Sequence, residues 1–193
     1  MSSKNQSREK ILEAATQLFH LQGYHATGLS QILKVSGAPK GSLYYHFPEG
    51  KEQLALEAIE RFGSIVSAEI RKHLNEVDDP IEAYEKHILH ISRKFEDVST
   101  LPNNSETLPI GLLAAETALV NENLRIKCEG VFNDWDSIHK EKIMASGFSD
   151  EQAQSISITI NALIEGGITL CLTTKSNKPL LEIIKMIPLL FTK

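Results

Sequence analysis

Apolar side chains recur along most of this chain at the three-and-four spacing of one α-helix face. Ile11, Leu12, Ala15, Leu18, Phe19 and Gln22 make the first such run, and Gly23 follows where a glycine closes a helix. Thr27 precedes a shorter run, Leu29, Ile32 and Leu33, ended by Gly37, which predicts a capped helix of about two turns. Pro39 has a backbone angle suited to a first helical position, so a second short helix is expected from Pro39 to Phe47. After the break Phe47-Pro48-Glu49-Gly50, a long amphipathic helix is expected from Lys51 to about Leu74. Asp79-Pro80-Ile81-Glu82 joins a capping carboxylate to a first-turn proline and predicts another helix start. The polar stretch Ser99–Thr107 is the best loop candidate.

Leu108–Val120 and Asn121–Ser146 read as two further helices, the second closed by Gly147. Ser149-Asp150-Glu151-Gln152 is a capping box opening a long apolar helix to about Thr174. The last helix, about Pro179–Phe191, contains Pro188, which should remove one backbone hydrogen bond and bend it. With no β-hairpin signal and no internal repeat, the pattern predicts an all-α protein of about nine helices.

Composition narrows the class. The 193 residues are 41% hydrophobic, enough for a packed core, and no run approaches the roughly 20 uninterrupted apolar residues of a membrane span. The polar start MSSKNQSREK has no apolar signal segment. The two cysteines, Cys128 and Cys171, read as reduced buried thiols, so a cytoplasmic location is expected. Charge is uneven: residues 1–50 carry a balance of +2, whereas the whole chain carries −5. A weakly basic head on an acidic body suits a small anion-binding module joined to a larger domain with another task.

The head holds the densest chemistry, in the stretch SGAPKGSLYYHF from Ser36 to Phe47. Two short helices separated by Gly37-Ala38 outline a helix-turn-helix, whose second helix enters a DNA major groove. Small residues at Ala38 and Gly41 would allow close approach to base edges, and Lys40 can donate to a guanine edge or a phosphate. Tyr44, Tyr45 and His46 carry donors at the far end of the helix, within reach of phosphates. Leu43 and Phe47 would pack inward against Ile32 and the first helix. On spacing alone the same residues also suit a mere corner of a helical bundle.

The run REKILEAATQLFHLQGYHATGLSQILKVSGAPKGSLYYHFPEGKEQLALEAI separates these readings, because it resembles the N-terminal domain of the TetR family of bacterial repressors. The resemblance rests on the Ile/Leu/Ala/Phe first helix, Gly23-Tyr24, Thr27, Ile32, Gly37, Lys40-Gly41, Leu43 to Phe47 and Lys51-Glu52. Three residues stand between Phe47 and Lys51 where many members have two. This departure, with LPIGLLAAE and ALIEGGITL, resembles the multidrug-efflux-regulator subgroup typified by LmrA and YxaF. The resemblance implies a DNA-binding domain over residues 1–50 and a ligand-binding and dimerisation domain over 51–193. It implies that Lys40 and Gly41 face bases with Pro39 and Ser42 near them. Thr27, Tyr44, Tyr45, His46 and Lys51 would hold the phosphate backbone.

The rest of the chain has no motif of comparable strength. Ile156, Ile158, Ile160, Leu163, Ile164, Ile168, Leu170 and Leu172 make the long helix apolar on more than one face, so it should be buried, either between its own domain and a second subunit, as the resemblance implies, or as the central helix of a monomer core. Gly166-Gly167 within it would cost about 1 kcal/mol each relative to Ala, which close helix–helix approach could offset. Leu112, Leu113, Glu116, Phe132, Trp135, Ile138, His139, Asn161 and Glu165 are candidates for an apolar ligand cavity with a few polar anchors. A flat, largely apolar aromatic ligand of flavonoid-like character is expected from the subgroup resemblance.

His87-x-x-His90 has the helical spacing of a metal pair, but no cysteine stands nearby and a carboxylate at helical spacing is too common to count. Neither a nucleophile elbow nor a phosphate-cradling glycine loop is present, so no enzymatic activity, metal or cofactor is expected. The expectation is a homodimeric, ligand-responsive repressor released from a palindromic operator. Its rivals are a ligand-insensitive regulator or activator, and a helical small-molecule-binding protein without specific DNA binding.

Overall fold

The computed structural model describes residues 3–96 and 110–192. Ser99–Thr107 and the expected helix start at Leu108 lie outside the described residues. Among the described residues the chain forms nine helices and no strand: α1 (Ser3–Ala26), α2 (Leu29–Ser36), α3 (Lys40–His46), α4 (Lys51–Leu74), α5 (Pro80–Arg93), α6 (Gly111–Thr117), α7 (Glu122–Ala145), α8 (Asp150–Thr174) and α9 (Lys178–Leu190). They divide into two compact units, residues 1–64 with 110–131 and residues 65–109 with 132–193.

Local chemistry accounts for several helix ends. Asp79 accepts the Glu82 N–H at 2.8 Å and stands before Pro80, which lacks the donor a first turn leaves unpaired. Ser149 and Gln152 form a reciprocal capping box at the start of α8. Gly37 closes α2 in the left-handed region, where its N–H reaches Leu33 O at 3.0 Å.

Gly23 does more than end a turn. Its φ of 80° and ψ of 176° fall in a region reserved for glycine, and the helical backbone of α1 is interrupted there. Thr27 is not the cap of α2 that the sequence suggested. That place is Gly28, without a side-chain bond, while the buried Thr27 hydroxyl turns back toward Gly23 O at 2.8 Å and Leu18 O at 3.1 Å. Pro39 likewise stands one position earlier than expected, as the extended N-cap of α3.

The first unit packs Ile11, Ala15, Phe19, Ile32, Leu43, Phe47, Leu54 and Ile59 into its core, all essentially inaccessible. Gly63 lets α4 approach α7 closely, since a Cβ there would lie 2.6 Å from Val131 Cγ2. In the second unit α9 packs on α5 and α8. The adjacent glycines of α8 differ: a Cβ on Gly167 would press on Leu180 and Ile183, whereas one on Gly166 would meet open space. Close approach thus accounts for Gly167 and not for Gly166. By length and composition α8 could span a membrane, with mean hydropathy 1.5, yet only 33% of that window is buried. The cysteines are buried and unpaired, Cys128 in the first unit and Cys171 in the second, and burial pushes the Cys128 thiol up to about 11.

A run of imidazoles crosses the second unit. His90 is exposed and lies against His73 with ring centroids 4.4 Å apart. His73 Nδ1 meets His87 Nδ1 at 3.0 Å, and His139 Nδ1 lies 3.2 Å from the Tyr84 hydroxyl. A hydrogen bond between His73 and His87 requires one Nδ1 to carry the shared proton and the other to accept it. Burial lowers His87 well below the ordinary range, and His139, His73, His90 and Lys94 push the same way. Burial likewise lowers His139 to about 4.

Unfolding lets both side chains titrate near ~6.5, so below that pH the unfolded chain binds protons that the folded chain refuses. Stability should therefore fall as pH drops from about 6.5 toward 4, by up to about 1.4 kcal/mol per pH unit for each buried histidine. Thermal denaturation at pH 7.5 and pH 5 reads this directly, and His139→Gln should flatten the dependence.

Candidate nucleic-acid interface

Helix α3 is amphipathic over its seven residues. Leu43, inside it, and Phe47, its C-cap, are fully buried, while Pro39, Lys40, Gly41, Tyr44 and Tyr45 are exposed and Ser42 and His46 half-buried. Anchoring a short helix by two apolar residues four apart presents the opposite edge to solvent. On that edge Tyr44 is 49% and Tyr45 69% exposed, high for side chains of this size. The Lys40 ammonium lies 6.0 Å from the Tyr44 ring centroid, and Tyr45 packs edge-on against His46 at 4.9 Å. Gly41 has open space where a Cβ would stand, so its bare backbone faces outward. A cation, phenol hydroxyls and an imidazole are thus gathered on one short helix that carries no carboxylate.

The supports of this edge run back into the core. Arg8 places its guanidinium over the Phe47 ring at 5.1 Å and pairs with Glu57 of α4. Ser36 Oγ accepts the Ala38 N–H at 3.3 Å, fixing the turn between α2 and α3. Gly50 takes a φ of 70° in the three-residue link to Lys51, so the extra residue is accommodated by a left-handed turn.

Two of the expected phosphate holders also have partners within the protein. Thr27 is buried, and its hydroxyl is directed at two main-chain carbonyls, so it supports the turn before α2 from inside. The sequence could not show this, because a hydroxyl near a helix start has the same pattern whether it caps forward or bonds backward. Lys51 is half-buried, with its ammonium over the Tyr24 ring at 4.4 Å and 3.5 Å from His25 O. Burial lowers its pKa while Glu116 pulls it back up.

The ligand candidates divide between the units. Leu112 is exposed, Leu113 buried and Glu116 half-buried in the first unit. The Glu116 carboxylate accepts the Tyr24 N–H at 2.6 Å. In the second unit Trp135, Ile138 and His139 are buried, while Phe132, Asn161 and Glu165 are half-buried. Phe132 and Trp135 meet at right angles with centroids 5.5 Å apart, and Asn161 donates to Asp136. Tyr84 and His87 lie with His139 in a buried polar group that only burial marks out. Among the described residues no group of three or more His, Cys, Asp or Glu side chains is arranged to hold a metal ion.

An all-α chain that offers the second helix of a helix-turn-helix in this way is a DNA-binding transcriptional regulator. Residues 11–58 match the model of bacterial regulatory proteins of the tetR family, and residues 80–186 match that of the C-terminal domain of LmrA/YxaF-like transcriptional regulators. The chain belongs to the TetR family, with an LmrA/YxaF-like C-terminal domain. It is 48% identical to the uncharacterized HTH-type transcriptional regulator YxaF of Bacillus subtilis, over 100% of this chain and 99% of that one. It is also 48% identical to the HTH-type transcriptional regulator LmrA of the same organism, over 96% of this chain and 97% of that one. A TetR transcriptional regulator from Chloroflexus aurantiacus has the same fold, with a TM-score of 0.81, 23% identity and coverage of 97% and 94%. These proteins are regulators, and the chain is not an enzyme.

The placement of Thr27 separates support from contact. Thr27→Val should cost about 1–3 kcal/mol, since two buried carbonyls lose their shared donor. Affinity for DNA at a fixed salt concentration should stay unchanged in the folded protein, because in this placement the hydroxyl serves the turn. Thermal melts and a DNA titration at that salt concentration measure the two effects.

Proposed function

We propose that the chain is a homodimeric repressor that holds a palindromic operator and is released from it by a small, largely apolar aromatic inducer of flavonoid-like character. The observation that carries the DNA half is the exposed edge of α3: Lys40 and Gly41 for base edges with Pro39 and Ser42 beside them, and Tyr44, Tyr45 and His46 for phosphates. Phenols donate hydrogen bonds to phosphate without adding charge to a small domain, and an imidazole N–H can donate in the same way. Lys51 is kept in the phosphate-holding set, with its second task at Tyr24, while Thr27 is left out. Residues 1–50 are assigned the DNA-binding role and 51–193 the ligand and dimerisation roles.

Dimerisation is supported by the apolar surface that the second unit leaves uncovered. Ile158 and Leu170 of α8 are 51% and 53% exposed, and Met186 and Leu189 of α9 are 52% and 58% exposed. A second copy covering these helices would bury the apolar surface that α9 does not reach. A dimer also suits two half-sites about 34 Å apart, one helical turn of DNA.

For the inducer, the second-unit candidates Phe132, Trp135, Ile138, His139, Asn161 and Glu165 are retained. They combine stacking surface with few polar anchors. Helix α4 has residues in both units, so displacement at its far end has a covalent route to Lys51. A ligand need only prefer the state that does not fit DNA. By the subgroup resemblance the regulated genes would include multidrug efflux functions, in the cytoplasm.

Fluorescence anisotropy with labelled DNA from upstream of the protein's own gene and its neighbours, with and without flavonoid-like and cationic aromatic compounds, tests the whole reading. Tight binding that one compound class releases supports it. Binding that no compound weakens leaves a ligand-insensitive regulator, and absence of selective binding removes the DNA role. Lys40→Ala and Tyr44→Phe should weaken operator binding by about tenfold each while helicity and dimerisation persist. Leu170→Glu should keep the helicity and shift the protein toward monomer in sedimentation.

A further inference from the structure

The turn between α1 and α2 is held from a distant part of the sequence. At Gly23 the chain leaves helical geometry, which turns the Tyr24 N–H away from the carbonyl it would meet in a continuous helix. The Glu116 carboxylate of α6 takes up that donor at 2.6 Å. The approach is so close that a Cβ on Gly23 would overlap the carboxylate. Glycine is required at 23 by its backbone angles, and a Cβ there would also force the Glu116 carboxylate to shift.

The placement of the next two helices depends on this turn. Thr27 bonds back to Gly23 O, so the position of Gly23 sets that of Thr27. Gly28, the next residue, caps α2 with no side chain to define its start. Helix α2 leads through Ser36 and Gly37 into α3, whose Leu43 is buried with Ile32 in the core of the first unit. Lys51 adds a second hold on the same turn, through the Tyr24 ring and His25 O.

We propose that Glu116 is a positioning residue for DNA binding, whose carboxylate fixes the Gly23–Thr27 turn and through it the placement of α3. Glu116 touches no base or phosphate in this scheme, and the inference rests on the DNA-contact reading of α3. An acceptor oxygen that satisfies a main-chain donor in a half-buried site is strong enough to matter. Base recognition tolerates little error, since a contact set is productive only within about 0.5 Å of its intended geometry.

The test compares Glu116→Ala, Glu116→Asp and Glu116→Gln in the full chain. The probes are the duplex that the wild-type protein selects from a random-sequence library, and a random duplex at low salt. Ala has no acceptor, and Asp keeps the charge but is one methylene too short. Both should weaken the selected duplex by about tenfold or more, with random-duplex affinity and salt slope unchanged. Gln keeps an acceptor oxygen at the same reach and should stay close to wild type. Exchange of the Tyr24 amide should be fast in Ala and Asp and slow in Gln.

Should Glu116→Ala lose helicity, the Asp and Gln pair decides, because both keep a polar group on α6. Wild-type affinity in Asp, or equal losses in Asp and Gln, would overturn the proposal. Lys40→Ala in the same assay tells the two readings apart. If it weakens binding while Glu116→Asp does not, the positioning role fails alone. If it too binds like wild type, the DNA-contact reading fails and takes the positioning role with it.

Discussion

The arrangement of the first unit depends on one broken turn of helix. At Gly23 the main chain adopts angles available only to glycine, and three side chains then secure the departure: Thr27 at the Gly23 carbonyl, Glu116 at the Tyr24 amide, and Lys51 on the Tyr24 ring and the His25 carbonyl. A helix that simply continued would leave α2 and α3 without a defined starting direction. Short helices of eight and seven residues have little stability of their own, so their geometry is set by the groups they are tied to. The exposed edge of α3 is in this sense the end of a sequence of supports that starts at a glycine.

The two units meet different physical demands. The first gains order from specific polar ties across long sequence separations, such as Lys127 with Glu60 and Asn123 with Glu52, both at 2.8 Å. Exposed ties of this kind contribute little energy individually but restrict geometry. The second unit relies on apolar packing of α9 against α5 and α8, and encloses a polar core of histidines and Tyr84. Burial disfavours the charged forms of His87 and His139, which ties the order of this core to proton activity.

Much of this was legible in the residues. The three-and-four periodicity gave the helices, and Gly37, Asp79 and Ser149 marked ends that the structure keeps, because capping is local chemistry. The inward Leu43 and Phe47 followed from their spacing. The chemistry that escaped lies between positions far apart: the Glu116 bond to Tyr24, the backward bonding of Thr27, and the meeting of His73, His87 and His139. Gly166 and Gly167 show the same limit, since adjacent identical residues differ only in the groups that lie opposite them.

The two cysteines have a consequence for chemical reactivity. Burial pushes the Cys128 thiol up to about 11 and raises Cys171 as well, so thiolate is scarce at both near neutral pH. Thiolate is the form that oxidants and alkylating agents attack, so both sulfurs are shielded twice, by access and by protonation. While folded, the protein is deaf to peroxides and electrophiles at these positions. Its sulfurs become nucleophiles only when the helices that cover them come apart, which makes them internal markers of the folded state.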